Sequence, residues 1–197
     1  MSAATPPATT VHERILATAF DLFYRQGYHA TGINQIIAES GVAKASFYDH
    51  FPSKHDLFHE YVREAARRDY AEIRTAVDKI EDPKERFFTP LKFLIPWFDA
   101  SEFRGCPFQI VVAEAPVDDH QVRAEARRYY QRIRELLVDL SAEMLKVKRG
   151  KCPLNAEELG DVYLTLMMGA IALAAGYRQP WPVEVAVRNL EVLLGEG

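Results

Sequence analysis

Residues 31–57, TGINQIIAESGVAKASFYDHFPSKHDL, restrict the fold of this chain more than any other stretch. Ile33, Ile36 and Ile37 recur at i, i+3 and i+4, the spacing of one apolar helix face. That helix is predicted to open near Thr31, whose hydroxyl can cap its first N–H groups. Ser40-Gly41-Val42 breaks it, because Gly41 can adopt a positive φ that other residues avoid. A second short helix is predicted over about 43–50. Its Phe47 and Phe51 point inward and leave Lys44, Ser46, Tyr48 and His50 for the other faces. Ala43 stands where a polar cap is usual, which forgoes about 1 kcal/mol of capping. Pro52-Ser53 restarts the chain as a third helix, with Ser53 as cap and Asp56 three residues on in a near capping box.

Two short helices joined by a glycine turn make a helix-turn-helix, whose second helix enters the DNA major groove. The segment closely resembles the head of the tetracycline-repressor (TetR) family of bacterial regulators. The resemblance rests on Thr31-Gly32-Ile33, Ile36-Ile37-Ala38, Ser40-Gly41-Val42, Lys44-Ala45-Ser46-Phe47-Tyr48, and His50-Phe51-Pro52-Ser53-Lys54 with Asp56-Leu57. It extends over residues 11–61; the rest of the chain is similar only in general layout. The resemblance implies DNA contacts from Thr31, Lys44, Ala45, Ser46, Tyr48, His50 and Lys54. Of these, Thr31, Tyr48, His50 and Lys54 would meet phosphate. Lys44 can also donate to guanine O6 and N7.

Charge qualifies that expectation. The chain of 197 residues carries a net charge of −4, whereas nucleic-acid binders more often show a basic patch. Within the first 60 residues, Arg14, Arg25, Lys44 and Lys54 face Glu13, Asp21, Glu39, Asp49, Asp56 and Glu60. DNA affinity must therefore come from local placement of charge and of backbone N–H groups. Five of the six histidines (His12, His29, His50, His55, His59) fall here, and partial protonation near neutral pH supplies further charge.

The first helix is predicted over 10–26, with Ile15, Leu16, Ala19, Phe20 and Phe23 inward and Gly27 ending it. The helix that Ser53 caps continues through Leu57 to about residue 79, roughly 27 residues or about 40 Å, enough to join a head to a body. Asp82-Pro83 stops it and starts the next. Residues 83–100 are rich in aromatics and interrupted by Pro90 and Pro96, which suits the wall of an apolar pocket. Phe93, Trp97, Phe98, Cys106, Phe108, Tyr129, Tyr130, Ile133 and Met167 are the expected ligand-binding set. A long helix over about 119–148 turns Arg123, Arg127, Arg128, Arg132 and Arg134 to solvent. The helix ending near Gly176 is apolar almost all round, and the last one carries a stripe of Val183, Val187, Leu190 and Leu194. The resemblance implies that these two pair with their copies in a dimer, through Tyr163, Met167, Met168, Ile171, Ala175, Val187, Leu190 and Leu194. Burial inside one subunit fits the pattern equally.

The expected architecture is all-α: a disordered tail (1–10), a helix-turn-helix domain (11–57), and a helical ligand-binding and dimerisation domain (58–197). The expected partners are double-stranded operator DNA, a largely apolar small-molecule effector and a second copy of the chain. No cofactor is expected. The uncharged run 162–177 is shorter than the roughly 20 residues of a membrane span, and the reading is a cytoplasmic regulator rather than an enzyme. Two alternatives remain. Cys106, between Arg104 and a helix start at Pro107, has the setting of a reactive thiol, which would make a cysteine-based electrophile or redox sensor. His55 and His59 at i, i+4 loosely resemble a zinc-hydrolase pair, with no third ligand evident.

Overall fold

The computed structural model describes residues 10–116, 118–148 and 152–195. Apart from Thr10, the expected tail lies outside them. Among the described residues every regular element is a helix. The helices are α1 (Val11–Gln26), α2 (Ile33–Ser40), α3 (Lys44–His50), α4 (Lys54–Asp78), α5 (Pro83–Ala100), α6 (Pro107–Glu114), α7 (His120–Val147), α8 (Ala156–Tyr177) and α9 (Trp181–Leu193).

These fall into two compact units, each built from two separate stretches of chain. One comprises Met1–Arg68 and Pro107–Arg127; the other comprises Asp69–Cys106 and Arg128–Gly197. The first unit thus takes in α6 and the start of α7 along with the head helices.

In the first unit α1 opens with a full capping box. The Thr10 hydroxyl accepts from the Glu13 N–H at 3.2 Å, and the Glu13 carboxylate accepts from the Thr10 N–H at 2.9 Å. Ile15, Leu16, Ala19, Leu22 and Phe23 form its inner face, against α2 and α3. Phe20 is only half-buried, edge-on to Tyr61 with the Arg68 guanidinium 4.4 Å above its ring. Ile36, Phe47, Phe51, Leu57, Phe58 and Val62 complete a core of almost fully buried side chains. Gly41 has φ 63°, the left-handed turn expected between α2 and α3. Arg14 fastens that turn, donating to the carbonyls of Ser40 (2.6 Å) and Gly41 (2.7 Å).

Glu114, the last residue of α6, grips the α1–α2 connection. Its carboxylate accepts from the Tyr28 N–H, and its carbonyl lies 2.9 Å from His29 Nε2. Gly27, at φ 89°, is the residue that permits this approach. A Cβ there would fall 2.3 Å from a Glu114 carboxylate oxygen.

In the second unit α8 and α9 pair, and α5 packs against both. Asp82 caps α5 through the Glu85 N–H (2.8 Å), with Pro83 in its first turn. The helix runs through Pro90 and Pro96 without stopping at either. Asn155 caps α8 and forms a capping box with Glu158. Gly160 on α8 meets α7 closely: a Cβ there would fall 2.6 Å from Val138 Cγ2 and 2.9 Å from its Cα. The arginines of α7 are not all simply solvated. Arg134 forms ion pairs with Asp161 and Glu157 of α8, and the Arg132 guanidinium lies 4.1 Å from the Tyr70 ring centroid.

Candidate nucleic-acid interface

α3 is anchored from beneath. Phe47 is fully buried and Phe51, just past the helix end, is 2% exposed. That anchoring turns Lys44, Ala45, Tyr48, Asp49 and His50 outward, with Ser46 half-exposed. The expected exposure of one polar face follows from the spacing of the two phenylalanines. Neither Gly32 before α2 nor Ala43 before α3 supplies a side-chain cap, so no side chain accepts from the first N–H groups of either helix. His50 lies edge-on to His12 (5.9 Å between centroids), which stacks on Phe51 and pairs with Glu60 at 2.9 Å.

Two residues of the expected contact set are engaged elsewhere. Thr31 does not cap α2: it is fully buried, and its hydroxyl donates to the Gly27 carbonyl at 2.7 Å. Gly32 takes the cap position instead. The hydroxyl expected against a phosphate is thus consumed in closing the α1–α2 connection. Lys54 is the second case. Its Nζ donates to the carbonyls of Tyr28 (2.9 Å) and Thr31 (3.1 Å) and sits 4.2 Å from the Tyr28 ring centroid. Burial lowers its pKa. Ser53 does cap α4, accepting from the Asp56 N–H at 3.1 Å; its own hydroxyl donates to the Asp56 carboxylate at 2.6 Å.

With Arg14 on the turn carbonyls, Arg25 on Asp21 and Lys54 on the loop, the positive charge of the head is largely committed within the protein. Among the described residues, Lys44 is the one of these four that makes no hydrogen bond or ion pair inside the chain.

The expected ligand-binding residues divide between the units. Phe108 belongs to α6 in the first unit and is fully buried there. Phe93, Trp97, Phe98, Cys106, Tyr129, Tyr130, Ile133 and Met167 belong to the second. Phe98 is fully buried and stacked on Phe103 (5.3 Å, 3°), a core position rather than a lining one. Phe93, Trp97 and Tyr130 remain half-buried. Sequence reasoning missed Asp69, whose carboxylate accepts from the Tyr129 hydroxyl. Burial is the main cause that pushes its pKa up to about 6, with Glu72 adding to the shift and the Tyr129 bond opposing it. Cys106 is 4% exposed and has no disulfide partner.

The expected dimer set also needs correction. Tyr163 is fully buried, its hydroxyl donating to the Phe87 carbonyl at 2.7 Å with the two rings edge-on. Met167, Ile171, Leu190 and Leu194 are likewise buried within one copy, while Met168, Ala175 and Val187 are half-buried. The apolar side chains that α8 and α9 leave exposed are Leu173, Tyr177, Trp181, Val185 and Val192. An all-round apolar helix gives no sequence signal of which side its own chain covers.

Residues 15–61 match the N-terminal domain of bacterial regulatory proteins of the tetR family. Residues 83–189 match the C-terminal domain of LmrA/YxaF-like transcriptional regulators. The HTH-type transcriptional regulator LmrA of Bacillus subtilis is 32% identical over 160 residues, covering 78% of this chain and 85% of that protein. YxaF of the same organism is 29% identical over 184 residues, covering 92% and 94%. A TetR-family regulator from Streptomyces coelicolor superposes with a TM-score of 0.82 at 27% identity, covering 99% of this chain and 92% of the other. These relatives are transcriptional regulators and not enzymes, which removes the hydrolase reading. A helix that turns a polar face outward from a buried aromatic base, matched family domains at both ends and the all-helical fold together place this chain in the TetR family of bacterial helix-turn-helix transcriptional regulators, with an LmrA/YxaF-like C-terminal domain.

Proposed function

We propose that this regulator is a homodimeric repressor that holds a palindromic operator through α3 and releases it when a largely apolar small molecule binds the body. The observation that carries the DNA half of this reading is the outward face of α3. Lys44, Ala45, Ser46, Tyr48 and His50 stand over the buried Phe47 and Phe51, with the one uncommitted cation of the head at the helix start. Lys44 and Ser46 supply base or phosphate contacts, and Tyr48 and His50 meet phosphate. Thr31 and Lys54 act from behind, shaping the loop that presents α2.

The dimer reading is supported by α8 and α9. Leu173 and Tyr177 follow one another at i, i+4 on α8, and Trp181, Val185 and Val192 continue at helical spacing on α9. A second copy covering this face would form a four-helix contact. α8 has the length and composition of a membrane span, with 22 residues and mean hydropathy 1.6. Its pairing with α9 on one side and with a partner copy on the other accounts for that apolarity in a cytoplasmic protein.

Effector binding is assigned to the half-buried aromatics Phe93, Trp97 and Tyr130, with the Asp69–Tyr129 pair as a polar anchor. Such a ligand shifts the regulator only through a difference in affinity between the DNA-bound and released states. Burial of Cys106 counts against thiol sensing, because it keeps the sulfur from reagents in solution.

The test is selection of genomic fragments with the purified protein, then binding of the enriched duplex across a salt series. A recovered palindrome whose affinity falls with rising salt is the expected result. Enrichment of no sequence, with or without cell extract as a source of effector, overturns the reading.

A further inference from the structure

We propose that His55, His59 and Asp119 form a binding site for one divalent transition-metal ion of the zinc class, within the DNA-reading unit and separate from the effector site. His55 and His59 lie one turn apart on α4, so both rings leave the same side of the helix. Their centroids are 4.1 Å apart, inclined at 55°. The third donor comes from the residue before α7. Asp119 Oδ2 lies 2.7 Å from His55 Nε2 and 3.4 Å from His59 Nε2, and Oδ1 is 3.3 Å from His59 Nε2. All three donor atoms fall within 4.8 Å of one another.

The convergence is the informative feature. Both Nε2 atoms turn to one carboxylate rather than forming a chain of pairs. Four ligands around zinc at about 2.0–2.1 Å are separated by roughly 3.3 Å, so the two His59 distances already fit, and His55 needs to move outward by only about 0.6 Å. The carboxylate is also held as ligand carboxylates are: its side chain is 4% exposed, and Oδ1 accepts from the Val122 N–H at 3.0 Å. His55, at 45% side-chain exposure, leaves a way in. Beside His59 an open cleft of about 270 Å³ carries Asp56, Glu60 and Glu125, with Arg63 opposing them, so a cation approaches past more carboxylates than cations.

Two imidazoles and one carboxylate suit zinc, cobalt(II), nickel or iron(II) better than calcium or magnesium, which prefer all-oxygen sites. Three protein ligands leave a fourth position for water. A bound ion would tie the first turns of α4, which follow the reading helix, to the start of α7. The family assignment makes that a structural or regulatory tie, not a hydrolytic centre.

The experiment uses the full, untagged chain stripped of metal with a chelator and titrated with Co²⁺ in visible light, then with Zn²⁺ as competitor. The expected result is one equivalent of Co²⁺ giving the strong visible bands of a four-coordinate site, bleached by Zn²⁺. His59→Gln and Asp119→Asn should each weaken binding at least 10-fold. Asn at 119 retains an acceptor for the Val122 N–H, and circular dichroism confirms that both variants fold. Zn²⁺ should raise the melting temperature of the wild type but not of His59→Gln. Absence of saturable binding up to about 1 mM Co²⁺, or equal affinity in the wild type and His59→Gln, overturns the proposal; the second result would trace binding to other surface histidines.

Discussion

Lys44 and Lys54 have the same chemistry, and the structure gives them different surroundings. Lys54 donates to two loop carbonyls, so Lys54→Ala is expected to lower stability in urea by on the order of 1–2 kcal/mol. The salt dependence of DNA binding should change little. Lys44→Ala should leave the urea midpoint within error and reduce the salt slope of operator binding by about 1, the value of one lost phosphate contact. A slope change in Lys54→Ala and none in Lys44→Ala would reverse the assignment. Asp69 gives a second test at this scale. Its folded pKa, about 6, is raised above the unfolded 3.8, chiefly by burial. Stability from this group is therefore whole below about pH 4 and lost as pH rises through about 6. Asp69→Asn should consequently stabilise the protein by on the order of 2–3 kcal/mol at pH 7.5 but only about 1 kcal/mol at pH 4.5, read as the difference between urea curves at the two values. The sequence shows residue types clearly at these positions. It does not show that Thr31 and Lys54 spend their polar groups on the Gly27, Tyr28 and Thr31 carbonyls, because those partners are set by how the chain turns between α1 and α2.

At the scale of elements, the helices themselves were legible. Thr10, Asp82 and Asn155 cap where local chemistry says they should, and Gly27 and Gly41 end what precedes them. The faces were legible only where the pattern was amphipathic, as in α1 and α3. In α8 nearly every position is apolar, and the dimer set drawn from sequence chose several side chains that one copy already buries. The exposed remainder gives the test. Leu173→Glu and Val192→Glu, at 49% and 63% exposure, should each shift the protein from dimer towards monomer in sedimentation while leaving helical content intact. Tyr163→Phe should instead lower stability, by on the order of 1 kcal/mol, without changing the oligomeric state. Where α8 crosses α7, Gly160→Ala should cost about 1–3 kcal/mol in thermal or urea unfolding, because the new methyl meets the backbone of Val138 as well as its side chain.

For the whole molecule, a net charge of −4 and a head whose cations are mostly committed imply a small electrostatic share of DNA affinity. On the proposed dimer reading, discrimination rests on base contacts from α3 together with the distance between two recognition helices. Half-sites are expected near a multiple of the 34–36 Å helical turn. Inserting half a turn of DNA between the half-sites should abolish binding, and so should a whole turn, which restores the facing groove but sets the half-sites one helical turn too far apart. Long-range placement was the least legible layer. Glu114 reaches Tyr28 and Asp119 reaches His55 across more than 60 residues of chain. No local period encodes such meetings.

The interleaving of the two units has a practical consequence for anyone who would transplant the reading head. The chain passes between units three times, after residues 68, 106 and 127, so no single cut frees one from the other. A head excised at residue 68 would leave behind Glu114, Asp119 and the apolar side chains of α6. Grafting this specificity onto a foreign body, or swapping heads between relatives to rewire a genetic circuit, requires carrying 107–127 as a matched insert. Chimeras joined at one seam inherit the recognition helix without the part that holds its neighbouring loop in place.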